Sequence, residues 1–254
     1  MSFESDPAFW RGRRVLVTGG RGFLGQAVVE RVRDRGADTV LTPTSAEYDL
    51  RDRAAVADLF ATHEPDLVIH LAARVGGIGA NMARPADLYL DNLLMGTYVL
   101  DEARLRSTDR TVIVGTICSY PKFTPVPFSE ASLWQGYPEE TNAPYGIAKL
   151  AQLVQLQANR AQYGQRAVYL MPTNLYGPRD KFHPAVSHVI PALIKKAVDA
   201  KESTKPDGQP RRGVDGSRAF ERFGFRAATS FDEGLRRTLD WYLANRDEAE
   251  ARAI

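Results

Sequence analysis

Short runs of β-branched and aliphatic residues alternate with longer amphipathic stretches through the first two thirds of the chain. The runs are RRVLVT ending at Thr18, DTVLTP from Asp38, DLVIHLAA from Asp66, RTVIVGTI from Arg110 and RAVYLMPTN from Arg166. Between them lie FLGQAVVERVRDRG closed by Gly36, AAVADLFATH, a long stretch around Asn92–Leu105, and IAKLAQLVQLQANRAQYG. Apolar runs of this kind, separated by helix-period segments, predict parallel strands covered by helices on both faces. Right-handed crossovers then give an α/β fold with an open, doubly wound parallel sheet. Near the C-terminus, Phe231, Leu235, Leu239, Trp241 and Leu243 predict a final amphipathic helix lying over a sheet or subunit surface, with a charged, solvated end. No repeat or low-complexity linker interrupts the pattern.

Composition narrows the classes. With 254 residues, 44% hydrophobic and 25% charged, and a mean hydropathy of −0.31, the chain can bury one large core or a core with a small appendage. The 33 basic and 31 acidic residues nearly cancel, which gives no reason to expect a nucleic-acid partner. One cysteine, Cys118, excludes an internal disulfide framework and fits a reducing compartment. The first residues carry no secretory pattern, and no apolar run approaches the length of a membrane span. A cytoplasmic protein that does not engage membranes is the expectation.

Thr18-Gly19-Gly20-Arg21-Gly22-Phe23-Leu24-Gly25 joins the first predicted strand to the first predicted helix. Gly19, Gly22 and Gly25 suit a tight turn, close backbone approach to a pyrophosphate, and close packing of helix on strand. This is the signature of a Rossmann-type dinucleotide site. NAD would call for an acid at the end of the second strand, and Thr42-Pro43-Thr44-Ser45 offers none. Arg21 can instead meet a 2′-phosphate, favouring NADP, although it reads equally as a surface residue. Asp49, before Leu50, is placed for a hydrogen bond to adenine or for an exposed turn.

Tyr145 and Lys149 are four residues apart at the start of a predicted helix and face one side of it. An ammonium beside a phenol is expected to lower the tyrosine pKa, letting it exchange a proton with a carbonyl that receives hydride. Thr116 and Cys118 follow the fourth predicted strand, in the crevice where such sheets bind ligands. The threonine hydroxyl can hydrogen-bond a reacting carbonyl. Cys118 is either a packing residue or a thiolate base beside a ketone-acidified carbon. No spaced cluster of metal ligands is present, and proton abstraction next to a ketone needs none.

Together with His70-Leu71-Ala72-Ala73 and Asn174-Leu175-Tyr176-Gly177-Pro178, these motifs resemble the extended short-chain dehydrogenase/reductase superfamily. Val75-Gly76-Gly77-Ile78, Cys118-Ser119-Tyr120-Pro121-Lys122, Phe182-His183-Pro184 and Ser187-His188-Val189-Ile190-Pro191 narrow the resemblance to the GDP-4-keto-6-deoxy-mannose 3,5-epimerase/4-reductases, the GDP-L-fucose synthase family. The resemblance implies Cys118 as base and His188 as acid in epimerisation, with Tyr145, Lys149 and Thr116 serving reduction by NADPH. It implies cofactor contacts at Gly19, Arg21, Gly22, Phe23, Leu24, Gly25, Asp49, Leu50, Leu71, Ala72, Ala73, Lys149, Pro172, Asn174, Leu175 and His188. Substrate contacts fall at Asn174, Lys196 and Lys205, and the family's four-helix bundle implies a homodimer. Residues 1–178 would form the NADP-binding domain, and 179–254 an interrupted substrate-binding part. The interruption lies between Ala200 and Lys205, where relatives carry a much longer stretch. A 4,6-dehydratase would place an Asp-Glu pair after Thr116, whereas this chain has Ile117-Cys118. The remaining alternatives are another nucleotide-sugar 4-epimerase or reductase, or a cofactor-binding protein with little catalysis. Pro121–Pro138, with Trp134, is expected to cover the substrate crevice.

Overall fold

The computed structural model describes residues 7–76, 78–183, 187–199 and 214–251. Five strands, β1 (Arg14–Thr18), β2 (Thr39–Leu41), β3 (Leu67–His70), β4 (Arg110–Val114) and β5 (Ala167–Leu170), form one parallel sheet in the order β2-β1-β3-β4-β5. The chain moves outward from β1 to β2, then returns past β1 to β3. That reversal opens a crevice at the carboxyl ends of β1 and β3, where doubly wound sheets take ligands.

The helices are α1 (Pro7–Trp10), α2 (Phe23–Asp34), α3 (Arg53–His63), α4 (Ile78–Ala83), α5 (Pro85–Leu105), α6 (Ala143–Tyr163), α7 (Val189–Asp199), α8 (Ser217–Phe223), α9 (Phe231–Ala244) and α10 (Arg246–Ala251). Alternation along β1 divides the core. Val15 and Val17 pack against Val29 and Val32 of α2, while Leu16 turns to Val56, Leu59 and Phe60 of α3 and Val99 of α5. Each such fully buried side chain contributes about 1.5–3 kcal/mol. Leu100 of α5 and Leu156 of α6 close over Ile113 of β4. Asp52 caps α3 by accepting the Ala54 N–H at 2.8 Å, and Gly164 ends α6 in the left-handed conformation.

Two expectations need correction. Both faces of the sheet are covered at β1 and β3, but Val168 and Leu170 on β5 remain 45% and 37% exposed. Among the described residues, no helix closes over the face of β5 on which they lie. The final helix, α9, turns Leu235, Leu239 and Trp241 toward Phe182 and α7 instead of toward the sheet. Phe182 stacks on Tyr242 with ring centroids 4.4 Å apart. The charged end is also more than a solvated tail. Ala249 is fully buried, and Glu250 binds Lys195, Arg246 and the Tyr242 hydroxyl. No described helix is long and apolar enough to cross a membrane.

Candidate active site

Because all five strands are parallel, the segments that leave β1 to β5 emerge along one edge of the sheet. The first is the glycine turn. Gly22 precedes α2 without a side-chain cap, so the amides of the first helical turn point outward as an anion site. Gly19 has φ +70°, and a Cβ there would lie 2.8 Å from the Ala72 nitrogen. A Cβ on Gly25 would come within 2.6 Å of the Gly20 Cα and closer still to the Gly19 carbonyl oxygen. The turn therefore presses against Leu71 and Ala72 of the neighbouring segment and presents bare backbone. This cradle fits a pyrophosphate. The Leu71 and Ala72 amides donate to the Thr18 carbonyl and hydroxyl at 3.1 and 3.3 Å, joining the two segments; Ala73 beside them is half-buried.

Arg21 leans over the end of β2, its Nε donating to the Thr42 carbonyl at 3.2 Å. Glu47, an acid that the pattern at Thr42–Ser45 did not reveal, lies 3.8 Å from the same guanidinium. It is carried back by a turn in which it accepts from the Thr44 N–H and hydroxyl at 2.7 and 2.8 Å. Those bonds, with the Arg21 charge, hold its pKa below the ordinary carboxylate value. Asp49 is gripped by the Arg51 side chain and N–H, which pull its pKa down to about 2. Leu50 is buried with Leu16 and Phe60, so its side chain serves the core.

The segment after β4 meets the start of α6. Thr116 caps the short 3₁₀ turn Ile117–Ser119, its hydroxyl accepting the Cys118 N–H at 3.1 Å. The Tyr145 phenol lies close enough to the Thr116 hydroxyl and to Cys118 for both to act on its pKa. Lys149, one turn further, is only 2% exposed. The expected lowering of the Tyr145 pKa does not occur. Burial raises it, a negative Cys118 raises it further, and the nearby Thr116 hydroxyl only partly offsets them. Lys149 is itself desolvated, its pKa falling to about 8.

Beneath this cluster His70 is fully buried, its Nδ1 2.8 Å from the Thr18 hydroxyl and its Nε2 without a partner. Burial and the Lys149 charge depress its pKa to about 3. An unfolded histidine takes a proton near pH 6.5, which the folded protein refuses until about pH 3. Stability from this group is therefore present above pH 6.5 and lost as pH falls toward 3. His70→Asn should flatten the pH dependence of unfolding between pH 4 and 6.5. Equal slopes for both proteins in denaturant titrations would refute this.

The other candidates are more dispersed. Pro172 is half-buried, and Asn174 and Leu175 are exposed just beyond β5. His188 stands immediately before α7, exposed on one side. Desolvation by its remaining neighbours, with the charge of Lys181, lowers its pKa. Among the described residues, no hydrogen bond joins His188 to Thr116, Cys118 or Tyr145. Lys196 is exposed on α7, while Lys205 lies outside the described residues, as do Gly77 and Pro184. Cys118 also borders a small crevice with Tyr120, Phe128, Glu139 and Asn142. Glu139 and Asn142 were not evident as site residues, because only the folded loop brings them beside the cysteine. That loop is closed at its base by the pairing of Pro121 with Pro138; its Pro121 and Phe128 line the crevice, while Phe123, Trp134 and Tyr137 are exposed.

The model of the NAD dependent epimerase/dehydratase family matches residues 15–214. A probable GDP-L-fucose synthase of Oryza sativa subsp. japonica is 43% identical over 203 residues, covering 80% of this chain and 61% of the relative. GDP-L-fucose synthase 1 of Arabidopsis thaliana is 32% identical over 306 residues, covering 92% of this chain and 94% of the relative. The chain belongs to the GDP-L-fucose synthase family. Family membership accounts for the joint presence of the glycine turn, Cys118 and the Tyr145/Lys149 pair on one sheet edge. The Arabidopsis alignment is longer than this chain, so that member of the family carries a stretch with no counterpart here. A solved GDP-mannoheptose C4 reductase from Campylobacter jejuni with NADP bound is 32% identical, with a TM-score of 0.70. The match covers 74% of this chain and 56% of that one.

Proposed function

We propose that this chain catalyses NADPH-dependent 3,5-epimerisation and 4-reduction of a GDP-4-keto-6-deoxy-hexose. The observation that carries this reading is the packing of Thr116, Cys118 and Tyr145 together, one helical turn from Lys149, at the carboxyl edge of the sheet. The Gly19–Gly25 turn would hold the pyrophosphate, Arg21 the 2′-phosphate, and Lys149 the ribose hydroxyls. When bound, NADPH supplies hydride to C4. The Cys118 thiolate removes a proton beside the ketone, and His188 returns one on the opposite face. Tyr145 gives its proton to the C4 oxygen, with Thr116 holding that oxygen in place. The raised Tyr145 pKa supports this division of labour. Burial, with the charge of Cys118 beside it, holds the phenol protonated, as the acid of the reduction must be.

Incubation with NADPH and GDP-4-keto-6-deoxy-mannose should yield NADP⁺ and a GDP-6-deoxy sugar inverted at C3 and C5. Absence of both turnover and proton exchange would overturn the reading. A second reading, cofactor binding with little catalysis, is favoured by one feature. The chain spans 61% of its rice relative. NADPH binding without turnover would select it.

Glu47 bears on cofactor choice. Its carboxylate competes with a 2′-phosphate for Arg21 and can itself accept from a 2′-hydroxyl. Glu47→Gln should raise the preference for NADPH over NADH about 2- to 5-fold, the size of an exposed ion pair. Competitive binding of 2′,5′-ADP against 5′-ADP would measure it, and an unchanged ratio would rule it out. We further propose a cytoplasmic homodimer formed through α5 and α6, on which Leu90 and Val154 are exposed at 52% and 48%.

A further inference from the structure

Tyr169 has no part in the proposed chemistry, yet its hydroxyl lies directly beneath the catalytic helix. It sits on β5 in register with Ile113 of β4, and its ring crosses the backbone of Gly115 so closely that any Cβ there would strike it. Its hydroxyl donates to the Lys149 carbonyl at 2.9 Å. Ser119, 1% exposed in the 3₁₀ turn that bears Cys118, donates from its hydroxyl to the Gly146 carbonyl at 2.8 Å. Helix carbonyls at these positions already receive amide hydrogen bonds from residues four further along. The two side-chain bonds are therefore additional, and they come from two separate elements. They hold the only turn of α6 that carries Tyr145 and Lys149. Gly146 completes the grip, since a Cβ there would lie within 2.9 Å of the Cys118 carbonyl carbon.

We propose that Tyr169 and Ser119 form a two-point brace that sets the rotation and height of the Tyr145–Lys149 turn relative to Thr116 and Cys118. Tyr169 is thus a positioning residue for proton transfer. Gly115 is required so that the phenol can cross β4 and reach the helix. Rotating α6 by a few degrees would separate the Tyr145 hydroxyl from Thr116, because the phenol extends well out from the helix axis. The brace opposes that rotation at the two carbonyls flanking the turn.

The consequence for catalysis rests on the proposed function; the mechanical claim does not. The test compares wild type, Tyr169→Phe and Ser119→Ala/Tyr169→Phe by hydrogen exchange over residues 143–153 and by turnover of GDP-4-keto-6-deoxy-mannose. Phenylalanine fills the same space over Gly115, and the Lys149 carbonyl keeps its helical partner, so the variant should fold. Amide exchange in this turn should speed up about fivefold, the factor for one hydrogen bond of ordinary net strength. In the double variant it should speed up further. For an active wild type, kcat for reduction should fall about tenfold or more while KM for NADPH stays within about twofold, as misplacement of a reacting group predicts. Unchanged exchange in both variants overturns the brace whatever the turnover shows. Faster exchange with unchanged kcat in an active enzyme overturns its positioning role. An inactive wild type overturns the proposed function, and the exchange result still decides the brace.

Discussion

Tyr145→Phe should lower the rate of C4 reduction by about 10²–10⁴-fold, the range for losing a positioned general acid. Exchange of the C3 and C5 protons with deuterated water should persist. The phenol stands beside the Thr116 hydroxyl, and its raised pKa keeps it protonated at neutral pH, as a donor must be. Removing it deprives the developing C4 alkoxide of its proton source but leaves Cys118 and its capping bond to Thr116 in place. Proton exchange should therefore stay near the wild-type rate. Cys118→Ser should give the mirror image, with exchange reduced at least about 10²-fold. Loss of both activities in both variants would mean that the two residues act as one unit and that the division of roles is wrong.

What the sequence reveals and conceals follows from the range of each interaction. The strand ending at Thr18, the glycines after it and the four-residue spacing of Tyr145 and Lys149 are local patterns, and each is found where the pattern placed it. The direction of the Tyr145 pKa is not local. Spacing alone puts a cation one turn away, but the phenol is buried and the cation is itself desolvated, so burial outweighs attraction. Glu47 was missed for a related reason. Its position two residues beyond Ser45 looks too late for the cofactor, until the Thr44 turn folds it back toward Arg21. The exposure of Val168 and Leu170 on β5 and the docking of α9 on Phe182 depend on which elements pack against them. Periodicity shows that Val168 and Leu170 share a face and that Leu235 and Leu239 share another. It does not name their partners.

Gly146→Ala should be the most damaging change of a single methyl group near the site. In an exposed helix this substitution gains about 0.5–1 kcal/mol, because glycine loses more backbone entropy on folding. Here the added Cβ would lie within 2.9 Å of the Cys118 carbonyl carbon and closer still to its oxygen. Neither side can yield freely. The Gly146 carbonyl is held by Ser119 at 2.8 Å, and the 3₁₀ turn is closed by Thr116 at its start. Overpacking against fixed backbone costs about 1–3 kcal/mol, more than the propensity gain. Moving α6 outward relieves the clash but draws Tyr145 away from Thr116 and Cys118. A shift near 1 Å is enough to lower kcat about 10²-fold. The glycine turn lies on another segment, so NADPH affinity should change by no more than a few-fold. A net loss of about 1 kcal/mol would lower Tm by roughly 2–4 °C in a chain of this size. A raised Tm with undiminished kcat would show that α6 and the Cys118 turn are not packed backbone to backbone, and that helix propensity governs this position.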